Sequence, residues 1–313
     1  LAFFLQTMLA KMKPAEQGGS RIAIIFNGSP LSNGDCGQGE SEIRRWILEN
    51  DWLDAIVMLP DQLFYNTGIF TYVWLLRNDK PASHRGRVML IDARQQFEKE
   101  PKSFGNKRNR ITDAHRAWIE QRYHEGWAEG YADEHVKVFP RAHFAYHKVS
   151  VVFWQHDEHD QPALITEPYP RALTAANLKK EQEFYASDLE FRVRLEDAAG
   201  ERTEVLHLAP HDNAARKLKA LLAGSPEVRA VEWTHRHYVK DDEYIPFGED
   251  IAAFLEREID RPIIRWQDGP QLGYEILPNK EFYRYQPPTP ADELLAEFWR
   301  LEREAETLLA EVS

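Results

Sequence analysis

The chain has 313 residues, 43% hydrophobic and 12% aromatic, enough to build two packed domains. A net charge of −12 is unusual for a protein that grips DNA alone, because phosphate contacts dominate such affinity; it suits a subunit that borrows DNA affinity from a partner, or a protein that never meets nucleic acid. No apolar run is long enough for a bilayer, residues 1–12 lack a basic front and a small-residue cleavage site, and the lone Cys36 excludes an internal disulfide framework, so a cytoplasmic location without membrane contact is expected.

Residues 1–13 place apolar side chains at 1, 4, 5, 8 and 9, a helical stripe ended by Pro14 and Gly18-Gly19. Arg21–Phe26 reads as a buried strand, 27–39 as a Gly/Ser/Asn-rich loop, and 41–50 as a helix with Ile43, Trp46 and Ile47 on one face. The run Ala55–Leu59, stopped by Pro60, predicts a strand; Ile69–Leu76, rich in β-branched and aromatic residues, predicts another. Between them Leu63-Phe64-Tyr65-Asn66-Thr67-Gly68 forms a loop at a strand end, where rigid sheets commonly carry ligands. Gly68 is expected to supply a backbone conformation closed to other residues.

Arg87–Asp92 predicts a further strand. The most basic window follows, 99–110, with Lys102, Lys107, Arg108 and Arg110 around Pro101 and Gly105. It reads as a phosphate-contacting loop or, the favoured alternative, as a solvated surface loop. Thr112 caps a helix to Tyr123. From Val136 the pattern changes to short strands at 149–154, 189–195 and 205–208, with helices at 213–223 and 250–258. Asp241-Asp242-Glu243 reads as a solvated acidic loop.

The last element starts at Thr289-Pro290-Ala291-Asp292: cap, proline at the first position, then an acid. Leu294, Phe298, Leu301 and Leu308 make a heptad-like stripe over about three heptads. Packing on its own domain and binding a partner are equally open. His143 with His147, and His156-Asp157-Glu158-His159, match no metal motif, and their aromatic neighbours suggest strand surfaces, so no metal is expected. Cys36 has no His beside it, only Asp35, and reads as a structural loop cysteine.

Arg21–Phe26, Asn27-Gly28-Ser29-Pro30-Leu31, 39–49 and the strand–loop–strand unit, joined far downstream by Asp242-Glu243-Tyr244-Ile245-Pro246-Phe247, Gly273-Tyr274-Glu275-Ile276-Leu277-Pro278 and Phe282-Tyr283-Arg284-Tyr285, resemble the modification (M) subunit of type I restriction-modification systems, an N6-adenine DNA methyltransferase. The family's Asn-Pro-Pro-Phe/Tyr tetrapeptide is absent, as is a Gly-rich loop after a strand that would hold S-adenosylmethionine. The resemblance therefore implies the C-terminal part of such a subunit. The fold expected is α/β: the C-terminal strands and helices of a Rossmann-like methyltransferase sheet (1–130), a mixed α+β extension (131–288) and a terminal amphipathic helix (289–313).

By the same resemblance Phe64, with Tyr65 as the near alternative, stacks on the adenine flipped out of the duplex, where an aromatic face replaces lost base neighbours. Asn66 and Thr67 hydrogen-bond a base edge or phosphate, or close a turn, the safer reading. Asn27 and Ser29 lie on the same carboxyl edge of the sheet. Partners implied are the specificity (S) subunit, met by the terminal helix, the restriction (R) subunit and double-stranded DNA. S-adenosylmethionine is the cofactor of the full-length protein and is not expected on this chain, which alone is expected to be inactive and to self-associate. The rival reading is a non-catalytic interaction module acting through the terminal helix.

Overall fold

The structure, a computed structural model, describes residues 2–260, 263–266, 269–285 and 287–312. Leu1, which belongs to the predicted first stripe, lies outside them. The chain runs α1 (Ala2–Leu9), β1 (Arg21–Phe26), α2 (Ser29–Ser32), α3 (Gly39–Glu49), β2 (Leu53–Leu59), β3 (Thr71–Arg77), β4 (Arg87–Asp92), β5 (Glu98–Phe104), β6 (Lys107–Arg110), α4 (Asp113–Glu125) and β7 (Val136–Pro140). It continues with β8 (Ala145–Trp154), β9 (Leu164–Pro168), α5 (Ala175–Tyr185), β10 (Leu189–Asp197), β11 (Gly200–Leu208), α6 (Ala214–Leu221), β12 (Glu227–Arg236), β13 (Tyr238–Pro246), α7 (Ile251–Glu258), β14 (Ile263–Trp266), β15 (Gln271–Tyr274), α8 (Pro278–Glu281) and α9 (Ala291–Val312).

These elements form two compact units. The first comprises Leu1–Ser32, Asp51–Pro140 and Ile276–Ser313; the second comprises Asn33–Asn50 and Arg141–Glu275. The sheet of the first unit has the order β1-β3-β2-β4-β7. Only β2 and β4 are parallel; β3 runs antiparallel to both β1 and β2, and β7 antiparallel to β4. The first sheet thus extends past residue 130 to include β7. Every residue of β2 is buried: the run Ala55–Leu59 is apolar, as a central strand covered on both faces requires, and the buried Asp54 carboxylate is matched by His84 Nδ1 and the Tyr123 hydroxyl. One face packs Ala55, Val57, Met89 and Ile91 against Trp127 and the half-buried Trp118 and Tyr123.

The second unit is antiparallel. One sheet has the order β11-β10-β12-β9; a second has β13-β8-β14, with β15 also on β8. Val193, Phe191, Leu178 and Trp233 centre one core, and Val149, Val151, Ile245 and Leu255 another. Side-chain caps start three of its helices: Thr174 accepts from the Asn177 N–H, Asn213 from Arg216, and Asp250 from Ala253.

Three expectations are corrected. The second strand of the strand–loop–strand unit begins at Thr71; Ile69 and Phe70 precede it and are exposed, so their β propensity is spent on a loop. The basic window is a β5–β6 hairpin rather than a loop; its charges hid the strand pattern because both faces are polar. The acidic run 241–243 lies inside β13, where Asp242 is matched by Lys148 and Ser150 across the ladder.

Candidate functional site

The site is built on the carboxyl edge of the first sheet. β1 and β2 share a direction because both oppose β3, and β4 parallels β2, so Phe26, Leu59 and Asp92 end at the same edge where β3 begins. The register pairs Leu59 with Thr71 and Phe26 with Tyr72. One step further, Asn27 falls opposite Thr71. The Asn27 Oδ1 and Thr71 Oγ1 atoms are both buried without a hydrogen-bond partner. Each such orphan costs about 1–3 kcal/mol, so two on one edge need a reason. Thr71 was not foreseen. Read as mid-strand, it gave no signal; its place at the strand's first position is what brings it to the edge.

The loop between β2 and β3 presents the two aromatics differently. Phe64 is half-buried and pairs with Thr67 across a tight turn, with Tyr65 and Asn66 at the corner. Tyr65 is 67% exposed, and the Lys107 ammonium lies 5.5 Å from its ring centre. Thr67 Oγ1 stands 3.5 Å from the Ile69 N–H, at the long limit of a hydrogen bond. The expectation for Gly68 fails: its φ is not positive, and a Cβ there would meet only Gln62 Cγ at an ordinary 3.8 Å. The left-handed residue of the loop is Gln62, with φ 53°.

Gln62 is where the basic hairpin docks. Its carbonyl accepts from the N–H groups of Arg108 and Asn109 at 3.0 and 3.1 Å. The fully buried Asn109 donates its amide to the Asp61 carbonyl at 2.9 Å and accepts from Lys99 Nζ at 3.0 Å. The Tyr65 carbonyl accepts from the Asn106 N–H, and a Cβ on Gly105 (φ 63°) would stand 2.6 Å from that oxygen. Glycine is required at this turn. Of the four basic candidates, Lys107 pairs with Glu100 and Arg110 with Glu98. Lys102 and Arg108 are exposed. The hairpin therefore clamps the aromatic loop, with Lys102 and Arg108 on its exposed surface.

The downstream motif crosses the same edge. The Ile276 N–H donates to the Leu31 carbonyl after α2, whose first residue is Ser29. Asn279 accepts from Arg94 at 3.2 Å, Lys137 Nζ donates to the Glu281 carbonyl and lies 5.6 Å from the Phe282 ring centre, and Arg284 pairs with Glu134. This strap runs from the end of β1 past β4 to β7. Beside it, burial pushes the Asp92 carboxyl up, but two hydrogen bonds from the Arg94 guanidinium and one from its N–H bring it below the usual carboxylate range.

In the second unit the two sequence blocks that carried the resemblance meet. Ser41 Oγ accepts from the Tyr274 N–H, Arg44 Nε donates to the Tyr274 carbonyl at 2.6 Å, and the Tyr274 hydroxyl donates to Glu49. Arg44 is only 2% exposed and also donates to the Asn33 carbonyl. Cys36 and Tyr146 press on Gly273 so closely that a Cβ would stand 2.5 Å from Cys36 Sγ. Burial raises the Cys36 thiol pKa, which suits a packing role. His143 stacks edge-on to Phe144, and His147 leans on Phe247. On α9, Leu294, Phe298, Leu301 and Leu308 are all exposed.

The edge does not fit S-adenosylmethionine. Asp92 is committed to Arg94, and Gly28, the glycine that follows β1, is not a backbone cradle: a Cβ there would meet Tyr72 at an ordinary 3.6 Å. No helix among the described residues is long and apolar enough to cross a membrane.

Comparison with known proteins bears out the resemblance over the front of the chain. Residues 1–146 match the family model N-6 DNA Methylase. The methylase subunit of type I restriction enzyme MjaVII from Methanocaldococcus jannaschii is 35% identical over 81 residues, which is 26% of this chain and 14% of that protein. The HindI methylase subunit from Haemophilus influenzae is 37% identical over 92 residues, 29% of this chain and 19% of that protein. A type I methyltransferase subunit from Streptococcus thermophilus, known from its crystal structure, is 27% identical, covers 40% of this chain and 24% of its own, and superposes with a TM-score of 0.33. The matched segment is thus under a fifth of the length of either of these two relatives.

Proposed function

We propose that this chain is part of an adenine-specific DNA methyltransferase of a type I restriction-modification system, and that it supplies the surface that holds the extruded adenine. The observation that carries this reading is the aromatic loop at the carboxyl edge, clamped by the β5–β6 hairpin and lying within the segment that matches the methylase family. A flipped base loses its stacking neighbours; an aromatic face restores about 1–3 kcal/mol of that loss if it is already fixed in place. Phe64 forms the wall of the turn and Tyr65 its exposed corner. Lys102 and Arg108 contact the flanking phosphates. Asn27 and Thr71 are the polar groups nearest the sheet's mouth, and their orphaned oxygens find partners when the rest of the catalytic sheet and the DNA are in place.

The first unit is then the tail of a Rossmann-like sheet. Its strand β1 is an edge whose Ile25 is 49% exposed, suited to pairing with a further strand. The methyl donor and the Asn-Pro-Pro-Phe/Tyr tetrapeptide, which holds the adenine amino group in this family, belong to other parts of the whole protein. Helix α9 presents its exposed stripe to the helices of the specificity subunit, through which the restriction subunit and double-stranded DNA join in the cytoplasm. The test is transfer of tritiated methyl from S-adenosylmethionine to plasmid DNA, comparing this chain and the whole gene product, each with its specificity subunit. Labelling by the whole product alone is expected. Absence of labelling by both turns the reading towards an interaction module.

A further inference from the structure

We infer that the second unit carries a nucleotide-binding groove of its own, on the open face of the β13-β8-β14 sheet, recognising an aromatic base together with its phosphate. Strand alternation divides this sheet sharply. Val149, Val151 and Phe153 face the core shared with Ile245 and Leu255, so Ser150 and Val152 face the other way. The ladder pairs Val152 with Lys240 on one side and Arg265 on the other. Two cations therefore flank one valine across three strands. On this face lies a groove of about 800 Å³ lined by Ser150, Val152, Phe184, Tyr238, Lys240 and Arg265.

The groove has the two features that a nucleotide needs. Its aromatic wall is Phe184 from α5 and Tyr238 from β13, whose rings stand 4.9 Å apart, edge to face. The Arg265 guanidinium lies 3.9 Å from the Phe184 ring centre. An arginine over an aromatic ring still offers its fork for a bidentate phosphate contact. Among the described residues no carboxylate lies within 4.0 Å of the Arg265 or Lys240 cationic nitrogens. Asp242, an acid on this face whose carboxyl also feels the Lys240 charge, is held by Ser150 and Lys148. A second hollow of about 420 Å³ shares Phe184, Tyr238 and Arg265 and adds Lys180, Arg171, which is paired with Glu181, and Glu183, which is paired with Lys179 outside the hollow. In a chain of net charge −12, two cations without an ion pair among the described residues, beside rings set edge to face, mark a place for an anion with a flat face. The same chemistry is offered by a free nucleotide and by a single strand.

The inference is independent of methyl transfer and is tested without a methyl donor. Binding of a short fluorescein-labelled oligodeoxyadenylate to the full chain is followed by anisotropy over a salt series, with adenosine monophosphate as competitor. The double variant K240Q/R265Q is expected to lose two phosphate contacts, flattening the log–log salt slope by about 1.4. Phe184→Leu is expected to keep the slope and weaken binding about tenfold. Lys219→Gln, on α6 away from the groove, serves as the control and binds as the wild type does. Competition by the monophosphate identifies a nucleotide-sized unit as the ligand, and its failure identifies a strand; both support the groove. Absence of binding by the wild type, or binding that survives K240Q/R265Q and Phe184→Leu but falls with Tyr65→Ala, overturns it.

Discussion

Arg44 shows how one side chain joins distant parts of the sequence. It is buried and spends its guanidinium on the carbonyls of Tyr274 and Asn33. Arg44→Met leaves the buried Tyr274 carbonyl without this donor, at a cost of about 1–3 kcal/mol, and removes the bond to the carbonyl of the exposed Asn33. A fall in the urea midpoint equivalent to about 1–4 kcal/mol is expected, with Arg44→Lys restoring only part of it. Wild-type stability in the Met variant would show that these bonds are dispensable. A second residue-scale case is Lys148, which bridges Asp35 and Asp242 at 2.7 and 3.2 Å. Its hydrogen bond to Asp35, and then those to Asp242, raise the Lys148 ammonium pKa. The bond from Lys148 lowers Asp35, and Ser150 followed by Lys148 lowers Asp242. The carboxylates' contribution is present above the ordinary aspartate value of 3.8 and is lost as pH falls below it. The ammonium's contribution is full below 10.5 and is lost as pH rises beyond it. Thermal melting over pH should therefore fall at both ends, and Lys148→Met should flatten both limbs.

At the scale of elements, the β5–β6 hairpin and the aromatic loop are one structure. Asn109 joins them from a position with no exposure. Asn109→Ala removes that bond and orphans the Lys99 contact, loosening the loop by about 1–3 kcal/mol. Limited proteolysis at the Phe64-Tyr65 turn should accelerate about tenfold or more, with the second unit's fragments unchanged; an unaltered cleavage rate would mean that the hairpin does not hold the loop. Little of this was legible beforehand. The apolar runs of β2 and β4 announced themselves because burial on both faces demands hydrophobic sequence; β1 was read as a buried strand too, but it is the sheet's edge and alternates buried with exposed residues. The hairpin did not, because its strands are polar but for Pro101 and the exposed Phe104, and it is held by bonds to the loop. Gly68 was read as the strained residue because glycine is the usual solution; the strain is at Gln62, where docking of the hairpin fixes the backbone. Thr71 stayed hidden because strand boundaries are set by register, which the sequence does not display.

At the scale of the whole molecule, the aromatic and C-terminal blocks were readable as a resemblance, but their joining was not. The strap 276–285 returns to the first unit, and residues 33–50 join the second, a division that depends on long-range bonds from Arg44, Ser41 and Leu31. The exposed edge of β1 has a consequence in solution. The isolated chain should self-associate through that strand, with a sedimentation coefficient that rises with concentration, and Ile25→Lys should return it to the monomer. A wild-type monomer at all concentrations would argue that the edge is satisfied.

The most direct measurement is of methyl transfer by the whole gene product with its specificity subunit, carrying Phe64→Ala or Tyr65→Ala. Loss of a stacking face should lower kcat/KM by about ten- to a hundredfold in at least one variant, while urea midpoints stay near wild type. Transfer at the wild-type rate by both variants would contradict the assignment of this loop to the flipped adenine.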